Sequence, residues 1–129
     1  MANKVVKTTL GAPEKHILIG NDSYMITLGA QVTNTGVSAD SDGRKILKAG
    51  TPLAGNIRKR DTAFTKTNGS TATAVLMHDV DVTAGAENAT IILAGCVDLL
   101  KLDSATQALV TADVISALPR IIFVEGSAI

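Results

Sequence analysis

The chain reads as a mostly-β protein with one short helix, an α+β body in a single compact domain carrying an extended N-terminal arm. Three observations predict this. Short apolar runs rich in Val, Ile and Thr recur between Gly, Asn, Asp and Pro punctuation. One stretch alone, after residue 103, repeats its apolar positions at helical spacing. Finally, 129 residues are enough for one hydrophobic core, with no need of a disulfide that a single cysteine could not form within the chain.

Taken in order, residues 1–13 form the arm and 14–129 the domain. Lys4, Val5, Val6, Lys7, Thr8, Thr9 and Leu10 have strand propensity but end at Gly11 and Pro13 with no partner strand nearby. Such a segment suits pairing with another protein's sheet edge; read alone, without any resemblance, it is more simply an ordinary frayed terminus. The next elements, His16 to Gly20 and Tyr24 to Leu28, are two short strands about the turn Gly20-Asn-Asp-Ser23. Gly36 to Gly43 is a solvated turn, since the later ligands and bidentate Glu of a calcium loop are missing. Pro52 forces Thr51 to be extended and marks a strand lead-in at a sheet edge. The triplet Arg58-Lys59-Arg60, without interleaved aromatics, reads as a solvated face. Thr62 to Ala74 is a long loop or loose hairpin turning at Asn68-Gly69.

The centre of the chain is a β-hairpin leading into a helix. From Leu76 to Val82 the residues alternate, with Leu76, His78, Val80 and Val82 on one face and Val75, Met77, Asp79 and Asp81 on the other, so one face is buried and the other at least partly wet. After a turn at Gly85, Thr90 to Val97 is apolar on both faces, as expected of a strand covered on both sides. Within it, Gly95 marks a bulge or a close backbone approach, and Cys96 reads as a small buried hydrophobe. Ser104 and Gln107 fit a capping box opening a helix from Ala105 to Leu118, which Pro119 ends. Arg120 to Glu125 is a final strand.

Composition excludes more than it suggests. Residues 1–66 hold ten Lys or Arg against five acids, a balance of +5, while 67–129 hold two against seven, a balance of −5. The whole chain is neutral, which predicts no nucleic-acid partner, and its three aromatics, Tyr24, Phe64 and Phe123, are too few for stacking on bases or sugars. No run of apolar residues is long enough to span a membrane. There is no nucleophile elbow, no phosphate loop and no dinucleotide glycine pattern, so no catalytic residue, cofactor or metal site is expected, and the chain does not read as an enzyme. His78 next to Asp79 and Asp81 is the one constellation to weigh. Alternation sends His78 to the face opposite both carboxylates, while Asp79 and Asp81 share a face. A structural role for these carboxylates competes with a small metal- or ligand-binding β module built on Asp79, Asp81 and His16.

Lys48-Ala-Gly-Thr-Pro-Leu53, then Val75-Leu-Met-His-Asp-Val-Asp-Val-Thr83, then Ile91 to Leu102 ending in Asp-Leu-Leu-Lys-Leu, resembles the head decoration (capsid cement) proteins of tailed bacteriophages, lambda type. The match runs over residues 44–125. The resemblance implies a structural protein of the virion exterior, assembled in the bacterial cytoplasm, that binds the major capsid protein of the expanded shell. It further implies homotrimers at three-fold and quasi-three-fold positions, which stabilise the shell against packaged DNA. On this reading residues 4–10 become the capsid-binding arm, with the C-terminal strand nearby on the shell-facing side.

Overall fold

The computed structural model describes residues 17–19 and 25–125. In chain order the strands are β1 (Leu18–Ile19), β2 (Ile26–Val32), β3 (Ile46–Leu47), β4 (Pro52–Ala54), β5 (Thr65–Lys66), β6 (Ala74–Leu76), β7 (Val80–Asp81), β8 (Glu87–Asp98) and β9 (Ile121–Val124). A 3-10 turn (Leu99–Lys101) follows β8, and two short helices, α1 (Ser104–Gln107) and α2 (Ala112–Ala117), precede β9. The protein is mostly β, as its sequence predicts.

β8 organises the rest. Along its first half it pairs with β2 on one edge and β6 on the other, both antiparallel; along its second half it pairs with antiparallel β1 and parallel β9. Because consecutive strand residues face opposite ways, Ile91 and Ile92 enter different cores. Ile91 joins Leu76, Leu53, Phe64, Val32 and Val82, whereas Ile92 joins Val75, Val97, Val114, Leu118 and Ile121. Both isoleucines are fully buried, each contributing on the order of 1.5–3 kcal/mol by its removal from water. The doubly apolar strand read in the sequence is therefore sandwiched at Ile91 and Ile92, and it is longer at both ends than 90–97. Where β2 slips register, between Ile26 opposite Ala94 and Thr27 opposite Ile92, the ladder bulges. Gly95 follows at φ +148°, with its missing Cβ facing Leu18 and Met25, so bulge and close approach coincide here.

The structure corrects several expectations. Leu76 to Val82 is not one strand: β6 pairs with β8, whereas β7 leaves to pair with β3. The cause lies at Asp79, whose carboxylate accepts the Ala49 amide at 2.7 Å and draws the chain toward β3. The alternation itself survives, since Leu76 and Val82 are buried in one core while Asp79 and Asp81 are exposed. Nor is Pro52 at an edge, because β4 lies between β5 and β6. As the first residue of its strand Pro52 still uses its carbonyl, which accepts from Thr67 N at 3.0 Å. For the same reason residues 62–74 make no hairpin; β5 and β6 flank β4 instead of pairing.

The single helix becomes two because Thr111 acts as a second start signal. Its hydroxyl accepts from Val114 N at 3.4 Å and donates to Asn68 O at 2.8 Å, breaking the helical run. No capping box forms at Ser104. Asp103 is the N-cap residue without a side-chain cap bond, and Gln107 instead donates its amide to Leu102 O at 2.9 Å. β2 runs to Val32 rather than stopping at Leu28, and both it and β1 pair with β8.

Candidate interaction surface

In-register partners on adjacent strands share a face of a sheet. Ile19 lies opposite Cys96, and Cys96 lies opposite Ile122, so these three side chains form an apolar row across β1, β8 and β9. Alternation in β9 puts Ile121 into the core and turns Ile122 outward, leaving it 62% exposed. Cys96 and Ile19 are half-buried. Cys96 is thus not the buried hydrophobe expected, since its face of β8 is only partly covered among the described residues. Farther along β8, Ile26 stands opposite Ala94 and is 52% exposed. Burying such isoleucines against a partner would contribute on the order of 1–2 kcal/mol each, and contiguous apolar exposure of this kind marks interaction surfaces.

The expected arm residues Lys4, Val5, Val6, Lys7, Thr8, Thr9 and Leu10 lie outside the described residues, as does His16. Ile17, the first described residue, is buried, and its carbonyl accepts from Asp98 N at 2.9 Å.

The segments that carry the family resemblance meet in one joint. Gly50 N donates to Leu76 O at 2.8 Å and Leu76 N to Thr51 O at 3.0 Å, while β3 and β7 pair next to them. The third segment closes the joint, because Gly50, at φ +93°, presses its Cα against Leu102. Lys48 Nζ stands 4.0 Å from Asp79 and 3.9 Å from Asp103. This joins the basic first half of the chain to the acidic second half, so folding brings the opposite charges together at this point.

The two carboxylates considered as a cation pair are committed to different partners. Asp79 holds the Ala49 amide. Asp81 accepts from both the hydroxyl and the amide of Thr83, and these bonds, the hydroxyl first, hold its carboxyl below the usual carboxylate range. Among the described residues no three His, Cys, Asp or Glu side chains gather as metal ligands. His78 Nδ1 is buried without a hydrogen-bond partner there. The basic triplet is exposed, with Arg60 donating to Gly29 O at 2.8 Å, as a solvated face would be. No helix among the described residues is long and apolar enough to cross a membrane.

No protein-family model matches the chain, and neither does any curated protein.

The exposed isoleucines of this surface are what sequence reasoning missed. Ile26 and Ile122 sit in runs with no polar alternation, and such runs imply cover on both faces. Only the pairing register, with β9 parallel to β8, shows which side is left open.

Proposed function

We propose that this chain is a structural virion protein of the lambda-type head decoration class, which binds the outer surface of the expanded capsid and stabilises it against packaged DNA. The supporting observation is the partly open apolar row Ile19, Cys96 and Ile122 across β1, β8 and β9, with β1 the first described strand after residues 4–10 in the sequence. In this reading residues 4–10 add a strand to a major capsid protein subunit, and the row seats against the same subunit. Backbone hydrogen bonds would supply affinity, and the buried isoleucine face would supply register. A homotrimer at three-fold and quasi-three-fold positions would present three such contacts at once. A weak single contact then becomes tight through effective concentration, provided that shell expansion spaces the three subunits correctly.

The test is co-sedimentation of the purified chain with expanded and unexpanded shells that lack it. The proposal expects binding to expanded shells alone, weakened about tenfold or more by Ile122→Asp. Ile122 is mostly exposed, so the substitution should leave the fold intact. Equal binding to both shell forms, or full binding by the folded variant, would count against it.

A further inference from the structure

A second site lies away from the apolar row. Val37, Ser38, Leu47, Lys66, Thr106 and Leu109 are among the residues that surround a recess of about 190 Å³, between the loop before β3, strand β5 and helix α1. Two of its polar groups make no side-chain hydrogen bond or ion pair among the described residues. Thr106 is 3% exposed, yet its hydroxyl makes no hydrogen bond among the described residues. That hydroxyl is not sealed from water, because among the described residues only His78 Nδ1 is a fully buried side-chain polar atom without a partner, so it stays open to the recess it lines. Lys66 is half-buried and stands in register with buried Leu53, so its stem runs along apolar surface. Its ammonium forms no ion pair among the described residues.

The neighbouring charges do not neutralise Lys66. Lys48 also lines the recess, but its ammonium is shared between Asp79 and Asp103. Thr51 turns its hydroxyl proton to Lys48 O at 2.6 Å. What remains is one uncompensated cation, the free Thr106 hydroxyl and the exposed Ser38 hydroxyl, around a space several times the roughly 30 Å³ that a water molecule takes up in the liquid. A compact ammonium with rotatable hydroxyl donors suits an oxyanion better than a cation or a neutral ligand.

We infer that the recess bounded by Ser38, Lys66 and Thr106 is a binding site for a small oxyanion, of the phosphate or short-chain carboxylate class. The apolar wall of Val37, Leu47 and Leu109 would accept the alkyl part of a carboxylate, whereas inorganic phosphate would use the three polar groups alone. The site is independent of the proposed capsid contact.

Titrating the full-length chain with inorganic phosphate, and separately with butyrate, at fixed ionic strength and followed by amide chemical shifts, tests this. The expected result is saturable shifts confined to residues around Ser38, Lys66 and Thr106 for at least one probe, with the stronger response naming the ligand class. Lys66→Met should weaken the affinity about tenfold or more, as should Thr106→Val, which keeps the side-chain volume. Thr106→Val also guards against misfolding as an explanation, because losing an unpartnered hydroxyl should leave the melting temperature level or higher. Shifts that fail to saturate with either probe, or saturation unchanged in both folded variants, would overturn the site.

Discussion

Replacing Gly50 by alanine probes the joint on which β3, β4, β6 and the end of β8 depend. Gly50 has φ +93°, in the left-handed region, where an L-residue is disfavoured by roughly 1–2 kcal/mol. Its new Cβ would also lie 2.2 Å from Leu102 Cδ2 and 2.7 Å from Cδ1, with Leu102 itself 4% exposed and packed against Val114 and Leu118. Forcing that leucine aside in a filled core costs about 1–3 kcal/mol. The stiffer unfolded chain returns about 0.4–1 kcal/mol. The net loss is about 1.5–4 kcal/mol, which for a domain of this size lowers the melting temperature by about 5–20 °C. Calorimetry on Gly50→Ala, Leu102→Ala and the double variant would read it. The double variant should cost less than the two single losses combined, because the alanine methyl then occupies space the leucine has left. A melting temperature within about 2 °C of the parent for Gly50→Ala, or strictly additive losses, would refute the packing described at this joint.

Three further outcomes follow from named contacts. Asp81 is held ionised by Thr83, so its folded pKa lies below its unfolded one; the stability it contributes is complete above the unfolded value and is lost as pH falls through the folded one. Thr83→Val should therefore move the Asp81 side-chain titration, followed by carboxyl carbon shifts, to higher pH, and with the folded and unfolded values closer together less stability should be lost on acidification; an unmoved midpoint would show that the hydroxyl bond is not what holds it. Thr111→Ala removes the cap on α2 and the bond to Asn68 O, and chemical denaturation should register a loss of about 0.5–2 kcal/mol that Thr111→Ser largely avoids. Cys96 is half-buried in the apolar row, so its rate of labelling by a thiol reagent should drop when the chain is bound to expanded shells; an unchanged rate would place the contact elsewhere.

Local chemistry made much of this fold legible. The apolar stretch of β8 from residue 90 to 97 announced itself by apolar residues on consecutive positions, Ile91 and Ile92 above all, and at those two the strand is walled on both sides. The burial alternation from Leu76 to Val82 was equally readable, because it depends only on the period of a strand. What failed was whatever depended on a distant partner. The break at His78 is caused by a bond from Asp79 to Ala49, thirty residues away in sequence. The interruption of the helix at Thr111 is secured by Asn68, forty-three residues away, and Pro52 is interior because β5 closes over it. The candidate surface was hidden for the same reason: Ile122 and Ile121 are identical residues, and only the parallel register of β9 decides which of them faces outward. The recess at Lys66 and Thr106 likewise has no local signature, since its walls come from three separate parts of the chain.

The central claim, that residues 4–10 grip a shell subunit by backbone pairing, is tested most directly by amide hydrogen exchange on those residues, free and bound to expanded shells. The account predicts rapid exchange in the free protein and strong protection on the shell, alternating along the segment as a single added strand requires. Amides already protected in the free protein, or still unprotected on a saturated shell, would contradict it.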